Sequence, residues 1–300
     1  MNQVIAVVVT YNRKELLKEA LEHLFNQTAP LDILVVDNAS SDGTQEMLTP
    51  YIEAQQIQYY NTQKNLGGAG GFHIGTKLAV QQGYDYIWLM DDDTMAQNDA
   101  LAKLIKAKDI VGEFGFLASD VRWMDDTPCV MNVPNVDGNW NQSIEYLRQG
   151  YLRVKHSSFV SCFVNAKVVK ELGLPIKEFF IWGDDSEYTR RISLKYPCYF
   201  VSDSKVVHKI KQNIAVDIIQ ETSDRLMRYE YAYRNQYYVI CMDGFKKDKL
   251  YYHYKTLLDI VKVLKSNTPY KKKKVKLIWK SWRAARKFKP VIEYVKDDQE

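Results

Sequence analysis

The segment YDYIWLMDDDT (residues 84–94) joins an apolar run to three consecutive carboxylates. The run has the length and composition of a buried strand, and it ends where Asp91, Asp92 and Asp93 begin. Adjacent like charges repel, so three acids at a strand tip are costly unless a cation binds there. Mg²⁺ and Mn²⁺ take oxygen ligands, and the first and third side chains of Asp-x-Asp can converge on one ion. The segment therefore predicts either a site for a metal and a diphosphate or a solvated acidic turn.

The chain that precedes this segment alternates between strands and helices. Short apolar runs predict strands, and the spacing of apolar residues predicts helices, one of them interrupted near Pro50. This alternation predicts an α/β fold with an open, mostly parallel sheet. The predicted strands are 4–9, 32–37, 57–61 and 84–90, and the predicted helices are 13–25, 41–55 and 70–83.

Polar residues follow three of these strands. In open α/β sheets, ligands bind beyond the carboxyl ends of the strands. Thr10, Tyr11 and Asn12 follow the first strand, Asp37 ends the second, and the three acids end the fourth. We therefore expect these side chains to line one crevice. The alternative is that they form ordinary turns and helix caps.

Four glycines in five positions follow the third strand, in NLGGAGGF (65–72). Glycine allows close approach of a ligand to the backbone and leaves N–H groups available to an anion. The segment lacks the Gly-Lys-Ser/Thr of a Walker loop. It predicts a backbone site for an anionic ligand, with a flexible turn as the alternative. The predicted contacts are Asn65, Gly67, Gly68, Gly70 and Gly71.

The second half of the chain is less regular. We predict strands over 110–119 and 157–165 with a long loop between them, then a short helix over 166–173. From about residue 217 the pattern is helical. We therefore predict a catalytic domain over 1–215 and a helical region over 216–300.

Taken together and in order, the strand-end motifs VVVTYNRKELL (7–17), ILVVDNASSDGT (33–44), NLGGAGGF and WLMDDDT (88–94) resemble those of the family 2 glycosyltransferases. The resemblance covers roughly residues 4–210. It implies the GT-A fold, a Rossmann-like sheet with flanking helices, and a nucleotide-sugar donor. Together with WGDDSEY (182–188), the glycine motif is most similar to bacterial galactofuranosyltransferases, with rhamnosyltransferases close behind.

The resemblance also implies roles for individual residues. Thr10, Tyr11, Asn12, Asp37, Asp92 and the glycine motif would contact the donor. Asp91, Asp93 and His208 would hold Mn²⁺ or Mg²⁺, and neutral imidazole suits Mn²⁺ better. Transfer to an alcohol needs a base, which would be Asp185, with Asp184 as the alternative because Gly183 departs from the family pattern. Trp182 and Glu187 would contact the acceptor, although a core tryptophan and a first-turn helix acid are equally good explanations.

The last helical segment carries an unusual charge. Residues 271–289 contain ten Lys or Arg and no acid, so the remaining chain has a balance of −6. Interleaved aromatic residues predict an amphipathic helix on an anionic membrane rather than on nucleic acid. A solvated face or a partner-binding helix is the alternative. Four scattered cysteines and no predicted signal peptide favour a cytoplasmic protein, peripheral at the inner face of the membrane.

These patterns together predict an inverting, metal-dependent enzyme. It would move a hexose, for example galactofuranose from UDP-galactofuranose, onto a saccharide or lipid-linked acceptor in cell-surface polysaccharide synthesis. A rhamnosyltransferase using dTDP-rhamnose is the nearest alternative, and a nucleotidyltransferase is the alternative from another class. Homo-oligomerisation remains open.

Overall fold

A sheet of ten strands organises the chain, whose computed structural model describes residues 3–138, 141, 144–221 and 225–295. The strands are β1 (Val4–Thr10), β2 (Asp32–Asp37), β3 (Gln58–Asn61), β4 (Tyr86–Asp91), β5 (Thr94–Ala96), β6 (Phe116–Arg122), β7 (Asn135–Val136), β8 (Tyr151–His156), β9 (Cys162–Asn165) and β10 (Tyr199–His208). The helices are α1 (Lys14–Phe25), α2 (Thr44–Glu53), α3 (Gly67–Gln81), α4 (Ala100–Val111), α5 (Ile144–Leu147), α6 (Ala166–Leu172), α7 (Asp184–Ser193), α8 (Tyr229–Met242), α9 (Lys246–Lys265) and α10 (Lys271–Ala285).

The order of the strands confirms the predicted α/β class. The order is β3-β2-β1-β4-β9-β6-β10-β8-β7, with β5 paired to β10. The first four strands in this order are mutually parallel, so their carboxyl ends lie at one edge. Beyond β4 the sheet is mixed, because β9 runs antiparallel to both β4 and β6. The parallel half follows from short β-α-β crossovers, whereas the mixed half depends on longer connections.

The core lies on both faces of this sheet, as the continuous apolar run of β1 predicts. Every residue of β1 is buried. Its even-numbered residues, such as Ala6 and Val8, pack with α1 and α4 on one face. Its odd-numbered residues, such as Val7 and Val9, pack with α3 on the other. Gly71 and Gly75 permit this contact, because a Cβ on either would lie within 2.4 Å of a valine of β1.

The structure corrects several predicted bounds. Residues 110 and 111 end α4 instead of beginning a strand. The predicted long loop contains β8, and β9 is shorter than the strand predicted over 157–165. Helix α2 continues through Pro50, although proline lacks the N–H that would donate to the carbonyl oxygen four residues before it. Helix α3 begins at Gly67, so most of the predicted glycine loop is the first turn of that helix.

The C-terminal helices α8, α9 and α10 pack on one another beside the sheet. The predicted boundary at 215/216 falls between β10 and α8, and it stays a prediction. Helix α10 forms as expected, but its apolar side is covered by α8: Leu277 and Ile278 are buried, and Phe288, just beyond the helix, packs on Phe179. Among the described residues, no helix has both the length and the apolarity to cross a membrane.

Candidate active site

Three strand tips meet at the carboxyl edge of the parallel half, as predicted. Thr10 lies opposite Asp37 across the β1–β2 ladder, and Val9 lies opposite Asp91 across the β1–β4 ladder. The buried hydroxyl of Thr10 donates to Oδ2 of Asp92 at 2.8 Å. The side chain of Asp92 therefore turns towards β1, away from the side chains of Asp91 and Asp93, which lie near His208. This separation agrees with the expected alternation in an Asp-x-Asp segment.

Asp91, Asp93 and His208 converge on one point. One ligand atom from each lies within 4.8 Å of the others. Oδ1 of Asp93 and Nε2 of His208 are 3.0 Å apart, and both side chains are almost fully buried. Two ligands at right angles around Mg²⁺, each about 2.1 Å from the ion, would be about 3.0 Å apart. The oxygen and nitrogen donors therefore fit a divalent cation.

Two residues of the connection between β6 and β8 orient His208. Nδ1 of His208 lies 2.8 Å from Oδ1 of Asn132 and 3.7 Å from Sγ of Cys129. An amide oxygen accepts, so Nδ1 carries a proton and Nε2 is the atom turned towards Asp93. Hydrogen bonds of this kind fix the ring of a metal-binding histidine. The sequence did not indicate Asn132, because it lies in a segment without periodicity.

Arg13 supplies a positive charge to the acidic cluster and was also missed. Its Nη1 donates to Oδ1 of Asp92 at 3.1 Å and to Oδ2 of Asp93 at 2.5 Å. The sequence contained a signal for this contact. Arg13 lies two residues after Tyr11, at the same edge of the predicted sheet as the three carboxylates. Even beside this arginine, burial and the neighbouring carboxylates raise the pKa of Asp91 to about 7, and burial raises that of Asp92 to about 6. A further positive charge would therefore stabilise the ionised carboxylates of this cluster.

The residues predicted to meet the nucleotide differ in their exposure. Tyr11 is 43% exposed, so its ring is accessible to a base. Asp37 is fully buried, and it accepts hydrogen bonds from the backbone N–H of Ser40 and the hydroxyl of Tyr59. Asn12 has a positive φ of 53°, and its Oδ1 accepts from the N–H of Ser41. Asp37 and Asn12 thus shape the crevice wall, whereas Tyr11 lies open beside it.

The glycine motif contacts Phe180, in the turn that precedes Asp184 and Asp185. Gly67 has a φ of 74°, and a Cβ on it would lie 2.0 Å from the carbonyl oxygen of Phe180. That oxygen accepts from the N–H of Ala69 at 3.2 Å. The N–H of Gly67 donates to Oδ1 of Asn65 at 2.8 Å. Gly70 and Gly71 are buried against Leu66 and β1, whereas Gly68 has open space beside it. Close packing therefore accounts for three of the four glycines.

Asp184 and Asp185 begin α7, and they face different surroundings. The buried Asp184 feels the charges of Asp185 and Asp91, and burial followed by this repulsion raises its pKa well above the usual range. Asp185 lines a polar cavity of about 100 Å³, and burial raises its pKa as well. Oδ1 of Asp185 accepts from the N–H of Ser186 at 2.6 Å. The other residues that line this cavity are Met131, Asn132, Val133, Asn135, His156, Ser157, Ser158 and Ser186.

The loop that precedes this pair is held by α8. Nδ2 of the fully buried Asn235 lies within 3.1 Å of the carbonyl oxygens of Phe179, Ile181 and Trp182. Arg234 donates to the carbonyls of Glu178 and Phe179. Phe180 and Trp182 have positive φ angles of 64° and 62°, which non-glycine residues rarely adopt. The hydrogen bonds from α8 therefore stabilise a strained turn that positions Asp184 and Asp185 at the start of α7.

The two predicted acceptor contacts have other partners. Trp182 is half-buried, with its ring edge-on to Tyr229 and the guanidinium groups of Arg225 and Arg228 within 6 Å. Glu187 is 1% exposed, and both of its oxygens accept from Arg191, at 2.8 and 3.0 Å. The geometry favours the structural explanation for Glu187, so we leave it out of the candidate site.

Comparisons with known proteins agree with this geometry. The model of the glycosyl transferase family 2 matches residues 5–111. The galactofuranosyltransferase GlfT1 of Mycobacterium tuberculosis is 32% identical over 263 residues, which cover 81% of this chain and 84% of that protein. The chain belongs to glycosyl transferase family 2. The GlfT1 of Mycolicibacterium smegmatis is 28% identical to this glycosyltransferase over 260 residues, which are 81% of this chain and 85% of that protein.

Solved structures confirm the GT-A fold of this glycosyltransferase. TarS 1–349 of Staphylococcus aureus in complex with UDP-GlcNAc has a TM-score of 0.59 at 14% identity, over 95% of this chain and 92% of that one. The mannosyltransferase PcManGT of Pyrobaculum calidifontis in complex with GDP-Man and Mn²⁺ has a TM-score of 0.57 at 17% identity, over 96% and 76%. Membership of a glycosyltransferase family rules out the nucleotidyltransferase alternative.

Proposed function

We propose that this glycosyltransferase moves galactofuranose from UDP-galactofuranose to a saccharide acceptor, with inversion at the anomeric carbon and with a divalent cation. The observation that carries the metal requirement is the convergence of Asp91, Asp93 and His208 at the carboxyl edge of the sheet. The similarity to galactofuranosyltransferases over most of the chain supports the choice of sugar.

The chain's own residues supply the steps of a direct displacement. Asp185 takes the proton of the acceptor hydroxyl, whose oxygen forms the new bond to the anomeric carbon while the bond to the diphosphate breaks. Burial raises the pKa of Asp185 above that of an ordinary aspartate, which makes its carboxylate a stronger base. Mg²⁺ or Mn²⁺, held by Asp91, Asp93 and His208, would offset charge on the leaving diphosphate.

We assign the donor to the crevice between β1, β2 and α3. Tyr11 stacks on the base, Thr10, Asn12 and Asp37 shape the wall, and Gly68 approaches the diphosphate at the start of α3, where a helix favours an anion. The polar cavity beside Asp185 takes the acceptor, with Trp182 nearby. Asp92 holds Arg13 and Thr10 in place rather than touching the donor.

The acceptor in this proposal is lipid-linked and lies at the inner face of the membrane. The ten cations of residues 271–289 support this assignment, since anionic lipids attract such segments.

A panel of nucleotide sugars tests the proposal. The purified chain, with Mn²⁺ and a short galactan acceptor, should release UDP from UDP-galactofuranose, and the product should show an inverted anomeric configuration by NMR. Release of dTDP from dTDP-rhamnose, with none of UDP, would establish the rhamnosyltransferase alternative instead. An active enzyme in EDTA would contradict the metal requirement.

A further inference from the structure

Helix α9 carries an exposed apolar strip of five residues, Leu250, Tyr254, Leu257, Val261 and Leu264. They repeat at alternating steps of four and three, so they lie along one face of the helix. Their exposed fractions run from 43% to 72%. The buried residues of α9 lie on its other side, where the helix packs on α8 and α10. The strip is therefore an unpartnered face within the described part of the chain.

The apolar surface continues from α9 onto α10. A groove of about 460 Å³ lies between the two helices, and Trp279 on its far wall is 48% exposed. This extension places an aromatic ring beside the aliphatic strip, as in surfaces that enter the headgroup region of a bilayer. The groove is lined by Leu264, Lys271, Lys272, Val275, Lys276 and Trp279.

Lysines frame this surface on both sides. Lys255, Lys262 and Lys265 are exposed along α9, and Lys272 and Lys276 are exposed along α10. Residues 246–289 contain sixteen Lys or Arg and two acids. One of these acids, Asp259, accepts a hydrogen bond from the hydroxyl of Tyr233. An occupant must therefore be apolar where it meets the strip and negative where it meets the lysines.

We propose that the apolar strip of α9, together with the α9–α10 groove, docks this enzyme on an anionic lipid bilayer. The inference rests on the lipid-linked acceptor in the proposed function, and it assigns the contact to α9. The side of α10 that carries Leu277 and Ile278 cannot serve, because these residues are buried where α10 packs against α8.

Charge and chemistry favour a bilayer over the other occupants. A second copy meeting the same face would bring lysines against lysines, which costs free energy. Nucleic acid would satisfy the lysines but would leave leucine and valine side chains against phosphates and sugars. Anionic lipids satisfy both parts, since their headgroups attract the lysines and their acyl chains accept the strip.

Vesicle sedimentation with the full chain tests this assignment. The probes are vesicles of phosphatidylglycerol and phosphatidylcholine, and vesicles of phosphatidylcholine alone. Replacing Leu257 and Leu264 together by Ser should weaken binding to the anionic vesicles by about tenfold or more. The matched control replaces Leu147 and Leu194 by Ser. These leucines lie outside the strip and are exposed to a similar degree (47% and 49%), so the control should bind as wild type. The K272E/K276E variant should bind less tightly and with a weaker dependence on salt.

Three outcomes would overturn the lipid assignment. If the Leu257/Leu264 variant bound vesicles as well as wild type, the strip would not be the contact. If light scattering showed that wild type is a dimer and that this variant is a monomer, the occupant would be a second copy. Binding to a DNA oligonucleotide instead of vesicles would identify a polyanion site. UDP release with a soluble acceptor is measured in parallel, and its absence would overturn the proposed function while leaving the lipid assignment intact.

Discussion

The side-chain amide of Asn235 donates to the carbonyl oxygen of Trp182 at 2.7 Å, two residues before Asp184. The same nitrogen reaches the carbonyls of Phe179 and Ile181, so one buried side chain of α8 fixes a whole turn. The helical extension therefore contributes to the geometry of the candidate active site, although no carboxylate of that site lies in it.

Replacing Asn235 by Ala should lower kcat by about 10- to 100-fold, because three backbone carbonyls lose a donor and the strained turn relaxes. Donor affinity, measured by calorimetry with UDP, should change little. Asn26→Ala, an exposed substitution at the end of α1, is the control. Equal losses of donor affinity and kcat would show that the substitution disturbs the fold at large.

Replacing Asp93 by Ala should abolish transfer and the binding of Mn²⁺. The substitution removes one proposed ligand and leaves Arg13 facing His208 without the carboxylate between them. Manganese binding is measured by electron paramagnetic resonance, and folding by circular dichroism. Asp99→Asn, at the half-buried N-cap of α4, is the control. Wild-type Mn²⁺ affinity in the Asp93 variant would place the cation elsewhere.

Asp185→Asn should retain donor binding and lose transfer by about two to four orders of magnitude, the scale of a removed general base. Asp184→Asn should be milder. Single-turnover rates with saturating donor make the comparison. A near-normal Asp185 variant beside an inactive Asp184 variant would move the base by one position, towards the carboxylate that feels Asp91.

The stability of the metal-free chain should depend on His208. Burial opposes its charge, but the contact with Asp93 raises its pKa to about 10 in the folded state. A raised pKa adds stability that is complete below pH ~6.5 and is lost as the pH rises through about 10. In EDTA, the free energy of unfolding should therefore fall by up to about 3 kcal/mol between pH 7 and 9.5. His208→Gln should flatten this fall in urea titrations, and equal slopes would assign it to other groups.

Removing residues 270–300 should destabilise the protein rather than release an intact catalytic unit. Ile278 and Lys274 are fully buried, and Nζ of Lys274 donates to the carbonyl of Ile219 at 2.9 Å. Loss of the whole helix exceeds a single core deletion of ~2–5 kcal/mol, so Tm should drop by about 10 °C or more. Calorimetry of the truncated chain measures this, and an unchanged Tm would show that α10 is dispensable for the fold.

The sequence predicted the parallel half of the sheet and the meeting of its strand tips. Both depend on local signals, namely β-branched runs and polar residues at fixed positions after them. The helix Ala100–Val111 was not predicted, and its last two residues were assigned to the following strand. The strand Tyr151–His156 was missed because its residues were assigned to a loop. The partners of His208 and Asp93 were missed for another reason. Asn132 is 76 residues from His208 in the chain, and Arg13 is 80 from Asp93, so only the folded topology brings them together.

The carbonyl oxygen of Phe180 lies between the two halves of the proposed reaction. Ala69 of α3 donates to this oxygen, while Asn235 of α8 holds the peptides on either side. If nucleotide binding moved the start of α3, this hydrogen bond would carry the movement to the turn that precedes Asp185. Thermodynamic reciprocity then requires that acceptor binding change the affinity for the nucleotide by the same factor as the nucleotide changes the affinity for the acceptor. One hydrogen bond, from Ala69 to Phe180, thus joins the proposed donor crevice to the turn that precedes Asp185.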